Sequence, residues 1–369
     1  MRLGVLTSSR ADYGIYLPLL QKLKSDSFFD LEIIAFGTHL SKLNGFTLQE
    51  IEKDVYKTIH TISTLITNDD EQSIATSYGL TALKFADFWG NNHYDMVVCL
   101  GDRFEMNAAV QAGIPFGLKF IHLYGGDTTL GAIDNIYRHQ ITLASYLHFT
   151  SLDSHKNKIS NLTNTNSNVY SVGSISLDNI VSFKPIDKTK FFLKFEIPDR
   201  EYALVTFHPE TIAIAENKNY AKEMKKALKE LSLLLNLVVT MPNADTLGSE
   251  YRMQLEQLKI ETPNRVILIE NFGKENYFSA MFYSRILIGN TSSGIVEAAS
   301  FGKYVINVGD RQKGRGQSEN VLNSSFISTD IVLKTKKALR LGLFVGENIY
   351  FKQGAADTII KILKEYEEF

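Results

Sequence analysis

The sequence has one cysteine in 369 residues. Cys99 lies inside the apolar run 97–100, so no intramolecular disulfide can form and no multi-cysteine zinc site can be built. An inert buried thiol is expected. No apolar run approaches the roughly 20 residues of a membrane span. The chain passes from Met1-Arg2 straight into strand-like residues 3–7 without the apolar core of a secretory leader, so a cytoplasmic protein with no membrane partner is expected. Neither sign of charge dominates, with Lys+Arg 39 against Asp+Glu 41 and a net charge of -2. That balance argues against general nucleic-acid binding, although a local anion site needs no net charge. No G-x-G-x-x-G follows the first strand and no G-x-x-x-x-G-K-[ST] occurs, which counts against dinucleotide and P-loop chemistry. There is no clustered metal-ligand spacing, no internal repeat and no low-complexity domain; neither a metal nor a cofactor is expected.

What is present is ordinary globular composition, 44% hydrophobic and 22% charged, in a chain longer than one core usually supports. Two domains follow. Apolar runs at 3–7, 31–36, 95–100, 118–123 and 146–150 alternate with helix-compatible segments, which predicts a doubly wound parallel sheet over roughly the first 170 residues. In the helical stretch 71–90, Ile74, Tyr78, Leu83, Phe85 and Trp89 read as the core-facing side. Polar residues 161–168 read as a surface loop near a boundary after Gly173. A second alternation runs through 202–207, 218–235, 237–240, 266–269, 286–288 and 304–308. The expected division is therefore 1–173 and 174–354, with a terminal helix at 355–369 returning to the first domain.

Chemistry-bearing residues gather where these strands end. Gly101-Asp102-Arg103-Phe104-Glu105 follows one strand, and Gly125-Gly126-Asp127, running on to Asp134 and Arg138, follows the next. Ligands of open α/β sheets bind beyond the carboxyl ends of the strands, so Asp102, Asp127, Asp134, Arg138 and His122 are expected around one pocket, with carboxylates for proton transfer. Arg10, opening the first helix, faces either a phosphate or solvent; His39 is more often structural than functional. In the second half, Asn290-Thr291-Ser292-Ser293-Gly294 joins a strand to a helix. It reads as an anion-binding turn or as a plain hydroxyl N-cap. Glu297, a turn later, suits ribose hydroxyls, and Arg311 in the basic Gly-rich stretch 309–316 suits a phosphate. Together these imply a nucleotide-sugar site in a cleft between two domains.

Taken with Ser9-Arg10-Ala11-Asp12-Tyr13-Gly14, Arg138-His139, Phe207-His208-Pro209-Glu210-Thr211, Asn243-Ala244-Asp245 and Gly309-Asp310-Arg311-Gln312-Lys313-Gly314-Arg315, these clusters follow one order over nearly the whole chain. In that order the chain resembles the bacterial hydrolysing UDP-N-acetylglucosamine 2-epimerases of sialic acid synthesis. The resemblance implies a glycosyltransferase-B-like α/β fold of two Rossmann-like domains around a UDP-sugar cleft. It implies a metal-free reaction in which UDP is eliminated to leave a 2-acetamidoglucal, and water then adds to give N-acetylmannosamine. It also implies catalytic carboxylates at Asp102 and Asp134, an active-site cation at Arg138, and UDP contacts at or beside Arg10, His208, Asn243, Thr291, Ser292, Ser293, Gly294, Glu297 and Arg311. UDP-sugar and UDP are the expected small-molecule partners, and a homodimer or homotetramer the expected assembly.

Two positions depart from the family pattern. Tyr124 stands where relatives carry Glu or His, and a phenol of reference pKa about 10 serves as donor or acid rather than base. Asp127 shortens the family's Gly-Gly-Glu by one methylene. Both bear on which group takes the C2 proton, and both leave open a diacetamido-trideoxy sugar substrate, as in legionaminic acid synthesis. A glycosyltransferase of the same architecture, a non-hydrolysing epimerase and an inactive UDP-sugar binder are the other readings. The aspartates at 102 and 134 favour the epimerase.

Overall fold

A computed structural model describes residues 1–42, 45–66, 68, 70–211, 213–242 and 248–366. The chain forms two compact units, Met1–Asp127 with Asp134–Val181 and Tyr350–Phe369, and Thr128–Ile133 with Ser182–Ile349.

The first unit alternates β1 (Arg2–Thr7), α1 (Arg10–Ser25), β2 (Asp30–Phe36), α2 (Leu48–Lys53), β3 (Thr58–Ile62), α3 (Glu71–Asn91), β4 (Met96–Leu100), α4 (Phe104–Gly113), β5 (Phe120–Leu123), α5 (Asp134–Ala144), β6 (Ser145–Thr150), α6 (Asp153–Thr163) and β7 (Val169–Ser171). Its strands form a 7-stranded parallel sheet in the order β3-β2-β1-β4-β5-β6-β7. Helices cover both faces, so the central strands are apolar throughout. On β4, Met96, Val98 and Leu100 join one core, while Val97 and Cys99 join the other. Burial pushes the Cys99 thiol up to about 12, which makes it the inert core residue expected.

The second unit holds α7 (Lys188–Lys194), β8 (Tyr202–Thr206), α8 (Asn217–Leu231), β9 (Asn236–Thr240), α9 (Gly248–Glu261), β10 (Val266–Ile269), α10 (Lys274–Tyr283), β11 (Ile286–Gly289), α11 (Ser292–Val296), β12 (Val305–Val308), β13 (Val321–Ser324) and α12 (Ser328–Leu341). Its 6-stranded sheet, ordered β10-β9-β8-β11-β12-β13, is also parallel. Ala203 and Val205 of β8 face one core and Tyr202 and Leu204 the other. The period-3.6 stripe Ala221, Met224, Leu228 and Leu231 seats α8. Residues 128–133 belong to this unit by their bonds: Leu130 N–H donates to Lys313 O at 2.9 Å, and Ile133 N–H to Thr211 Oγ1 at 3.1 Å.

Several expectations need correction. The first unit runs past Gly173 to Val181 because Ile175 and Leu177 are buried, Ile175 within its larger core. Its last segment begins at Tyr350, where Ser174 N–H donates to Tyr350 O at 2.8 Å, before α13 (Ala355–Glu365). Residues 161–163 close α6 instead of starting a loop, and Asn164 caps that helix in the left-handed conformation. On α3 the buried positions are Ser73, Ser77, Thr81, Phe85 and Trp89. Leu83, two residues from Phe85, is turned about 200° away at 100° per residue and is 70% exposed.

Ile359 on α13 is 1% exposed and packs into the core that also holds Leu19, Leu20 and Leu23 of α1. Ile359→Ala should therefore destabilise the first unit by about 2–5 kcal/mol. Trp89, the one tryptophan in the chain, reports that unit by fluorescence. A urea midpoint unchanged at Trp89 would show that α13 is not part of the unit's cooperative core.

Candidate active site

In the first sheet the strand order reverses between β1 and β4, and both strands end in loops that carry expected site residues. After β1, the Asp12 carboxylate accepts from Ser8 N at 3.1 Å and Ser8 Oγ at 2.7 Å, and Ser9 caps α1 through Asp12 N. This fixes the turn that carries Arg10. The Arg10 guanidinium is half-buried, and among the described residues no side-chain hydrogen bond or ion pair engages it. His39 does not enter this crevice. It is fully buried between Thr7 Oγ1 at 2.9 Å and Thr47 Oγ1 at 2.8 Å, and burial lowers its pKa to about 4.

The organising group is Arg138 on α5, which is 1% exposed. Its Nη2 donates to Asp102 Oδ2, and its Nη1 donates to Asp127 O at 3.2 Å and Asn135 Oδ1 at 3.3 Å. A guanidinium so deeply buried needs a paired anion, and Asp102, after β4, supplies it. Asp134 opens α5 four residues before Arg138, a spacing that puts the two on one helix face. Asp127 turns its carboxylate toward His155 Nε2, 3.5 Å away. Gly126 lets the chain pass there: at φ 77 its Cβ would lie 2.3 Å from His155 O.

Two expected catalytic residues are held by bonds within the first unit. His122 is fully buried beneath the site. Its Nε2 lies 2.9 Å from Gly101 O and its Nδ1 3.1 Å from Thr142 Oγ1. A carbonyl only accepts, so Nε2 carries the proton and Nδ1 takes the Thr142 hydroxyl. Burial lowers the ring's pKa to about 3. His122 thus supports the Gly101-Asp102 turn from beneath. The reason is strand alternation: on β5, Ile121 and Leu123 face one core while His122 faces the other side. Tyr124, at φ 64, has its hydroxyl 2.8 Å from Ser174 Oγ and accepts from Ser176 N at 3.3 Å. That phenol braces the 174–176 turn.

In the second unit, Asn290 is fully buried and clamps the His208 backbone, Oδ1 accepting from N and Nδ2 donating to O, both at 2.8 Å. The Asn290 carbonyl accepts from Gln312 Nε2 at 2.8 Å and Arg311 Nη1 at 3.4 Å. Buried Glu210 takes the N–H groups of Asp310 at 2.6 Å and Arg311 at 3.2 Å on Oε1, and burial raises its pKa. Gly309 permits this docking, since at φ 77 its Cβ would lie 2.3 Å from Glu210 Oε1. Thr291 caps α11 through Ser293 N. Ser292 is exposed and Ser293 half-buried, Gly294 packs against Val305, and Glu297 is buried. The structure therefore groups His208, Ser293, Glu297 and Arg311 about the ends of β8, β11 and β12. Asn243 lies outside the described residues. A cavity of about 620 Å³ opens beside Gly309, lined by Lys313, Arg315 and the Tyr220–Phe326 stack. None of Ser292, Ser293, Glu297 and Arg311 lines it.

The family description UDP-N-acetylglucosamine 2-epimerase matches residues 21–364. The chain belongs to that family. A Campylobacter jejuni relative named GDP/UDP-N,N'-diacetylbacillosamine 2-epimerase (hydrolyzing) is 35% identical over 89% of this chain and 85% of the relative. A Legionella pneumophila relative named UDP-N,N'-diacetylbacillosamine 2-epimerase (hydrolyzing) is 30% identical over 97% and 94%. An Escherichia coli relative, polysialic acid biosynthesis protein P7, is 30% identical over 98% and 93%. The fold matches the UDP-GlcNAc 2-epimerase of Neisseria meningitidis bound to UDP-GlcNAc, with TM-score 0.82 at 17% identity over 99% of this chain and 100% of that one. This is the glycosyltransferase-B-like pair of Rossmann-like domains, in an enzyme of the UDP-sugar 2-epimerase family. The residues whose geometry the sequence motifs contained without assigning are Glu210, Gln312 and Glu105. Fully buried Glu105 is gripped by Arg103 through Nε at 3.3 Å and Nη2 at 3.0 Å.

Buried imidazoles set an acid limit on the first unit. His39, His122 and His148 are lowered by burial to about 4, 3 and 4, below the unfolded value of about 6.5. Their contribution is fully present above pH 6.5 and falls as pH drops toward the folded values, because the unfolded chain binds the protons first. At pH 5 the loss should be about 2 kcal/mol per histidine. Lowered carboxylates such as Glu32, at about 2, act only below about pH 4.5. Urea midpoints read at Trp89 should fall steeply from pH 6.5 to 5; a flat profile over that interval would contradict the buried neutral assignment.

Proposed function

We propose that the chain is a hydrolysing 2-epimerase of a UDP-2-acetamido sugar, releasing UDP and the free 2-epimeric sugar. The observation that supports this chemistry is the gathering of Asp102 and the Asp127 carbonyl on one buried guanidinium, with Asp134 on the same helix face. A base takes the C2 proton, the C1–O bond breaks with its electron pair leaving on UDP, and a glycal remains. Water then adds, its oxygen to C1 and a proton to C2 from the opposite face. Two carboxylates are required, one on each face. Asp102 and Asp134 are assigned that work, with Arg138 holding Asp102 and Asp127 nearby. The nucleotide is assigned to the second unit, its diphosphate to the Thr291–Gly294 turn and Arg311, its ribose to Glu297, with His208 beside it; the assignment of Asn243 to UDP rests on the sequence motif alone. Arg10, uncommitted among the described residues, is assigned to a phosphate.

We put UDP-N,N'-diacetylbacillosamine first as substrate because relatives 35% and 30% identical carry that name. UDP-N-acetylglucosamine is the second reading, favoured by the family description and by the polysialic acid relative. NMR of products from each donor decides between them. In D₂O the released sugar should carry deuterium at C2. Retention of the original C2 hydrogen would rule the elimination out and leave simple hydrolysis or glycosyl transfer.

Asp102→Asn and Asp134→Asn should each lower kcat by about 10² or more, with UDP affinity nearly unchanged. Asp102→Asn should also lower Tm, since it removes the carboxylate that Arg138 Nη2 donates to. Wild-type turnover in either variant would remove that residue from the mechanism. Activity should survive EDTA; loss restored by Mg²⁺ or Mn²⁺ would favour a metal-dependent transferase.

A further inference from the structure

The segment 128–133 leads from Asp127 to Asp134, and it is seated on the loop that carries Arg311. Leu130 N–H donates to Lys313 O at 2.9 Å. At Gly131 backbone lies against backbone, since a Cβ there would stand 2.2 Å from Asp310 O and 2.8 Å from Arg311 N. Gly314, at φ 90, makes the matching approach from the loop: its Cβ would stand 2.7 Å from Thr128 Cγ2 and 3.2 Å from Leu130 Cγ. Ile133 N–H, one residue before Asp134, donates to Thr211 Oγ1 at 3.1 Å.

The loop is the firmer of the two partners. Glu210, 3% exposed, holds the Asp310 and Arg311 amides on one carboxylate oxygen at 2.6 and 3.2 Å. Gln312, 1% exposed, donates from Nε2 to Asn290 O at 2.8 Å. Moving the loop would strand these buried polar groups, so a side chain added at Gly131 displaces the 128–133 segment instead. Glu210 and Thr211 are chain neighbours just past the end of β8. One fixes the loop and the other the segment, so both are set from a single point.

We infer that Gly131 and Thr211 are positioning residues for Asp134, seating the segment that ends at this carboxylate on the backbone that carries Arg311. The inference rests on the assignment of Asp134 to the chemistry and of Arg311 to the diphosphate. Neither Gly131 nor Thr211 is assigned a contact with substrate; their effect reaches Asp134 through the chain, which continues from Ile133 directly into α5. A displacement of about 1 Å at a reacting group costs on the order of 10²-fold in rate, and it leaves the groups that hold the nucleotide where they were.

The test is the rate of UDP release from UDP-N-acetylglucosamine and UDP-N,N'-diacetylbacillosamine, with calorimetry of UDP alone, on Gly131→Ala, Thr211→Val and Thr211→Ser. Gly131→Ala should lower kcat by about 10-fold to 10²-fold and leave UDP affinity within about twofold. Thr211→Val, which removes the acceptor of Ile133 N–H at nearly constant volume, should lower kcat in the same direction. Thr211→Ser, which restores the hydroxyl, should recover it. Added to Asp134→Asn, Gly131→Ala should cost little further kcat, because the two act through one carboxylate. A general packing defect would instead weaken UDP in parallel or multiply with Asp134→Asn; either result overturns the inference. If Gly131→Ala fails to fold, the two Thr211 variants carry the test. Wild-type turnover in Asp134→Asn would remove the assignment of Asp134 and this inference with it. With Asp134→Asn impaired, wild-type kcat in Gly131→Ala or in Thr211→Val would remove the inference alone.

Discussion

Arg138 is the constraint on which the first unit's edge depends. A guanidinium with 1% exposure is tolerable only with an anion and with acceptors for its remaining donors, and each partner it finds is a piece of the loop structure. Asp102 pins the turn after β4, the Asp127 carbonyl pins the turn after β5, and Asn135 pins the first turn of α5. From beneath, His122 ties the Gly101 carbonyl to α5 through Thr142. Carboxylates that would otherwise repel are thus held in one locality by a charge that cannot leave.

The second unit solves a different problem. Its edge carries the proposed nucleotide site, and its loops are fixed by buried side chains that bind backbone. Asn290 pairs with His208 as a strand would, and Glu210 gathers the amides of Asp310 and Arg311. What is left facing outward is a set of hydroxyls and amides that cannot rearrange cheaply, the condition for electrostatic preorganisation.

How far the chain was legible varies by scale. Apolar runs and turn residues located the parallel sheets, since a strand buried on both faces must be apolar throughout. Sequence is ambiguous where one residue of phase matters: a mostly apolar helix has no sharp face, so Leu83 reads as core yet is exposed, and a strand end exposes alternate residues to opposite sides, so His122 reads as a site group yet is buried. The boundary after Gly173 failed because Ile175 and Leu177 follow a glycine and carry no periodicity of their own.

The sequence by itself determined the family, the α/β class and the order of the functional loops, because these follow from short motifs with local physical causes: strand, turn, helix start. It also determined that one thiol in an apolar run would be inert. Only the tertiary structure decided which side chains meet. That Tyr124 braces Ser174 and Ser176, that Glu210 gathers the amides of Asp310 and Arg311, and that Tyr277 reaches Ser293 are consequences of packing between segments far apart in the chain. No local pattern encodes a partner at that distance.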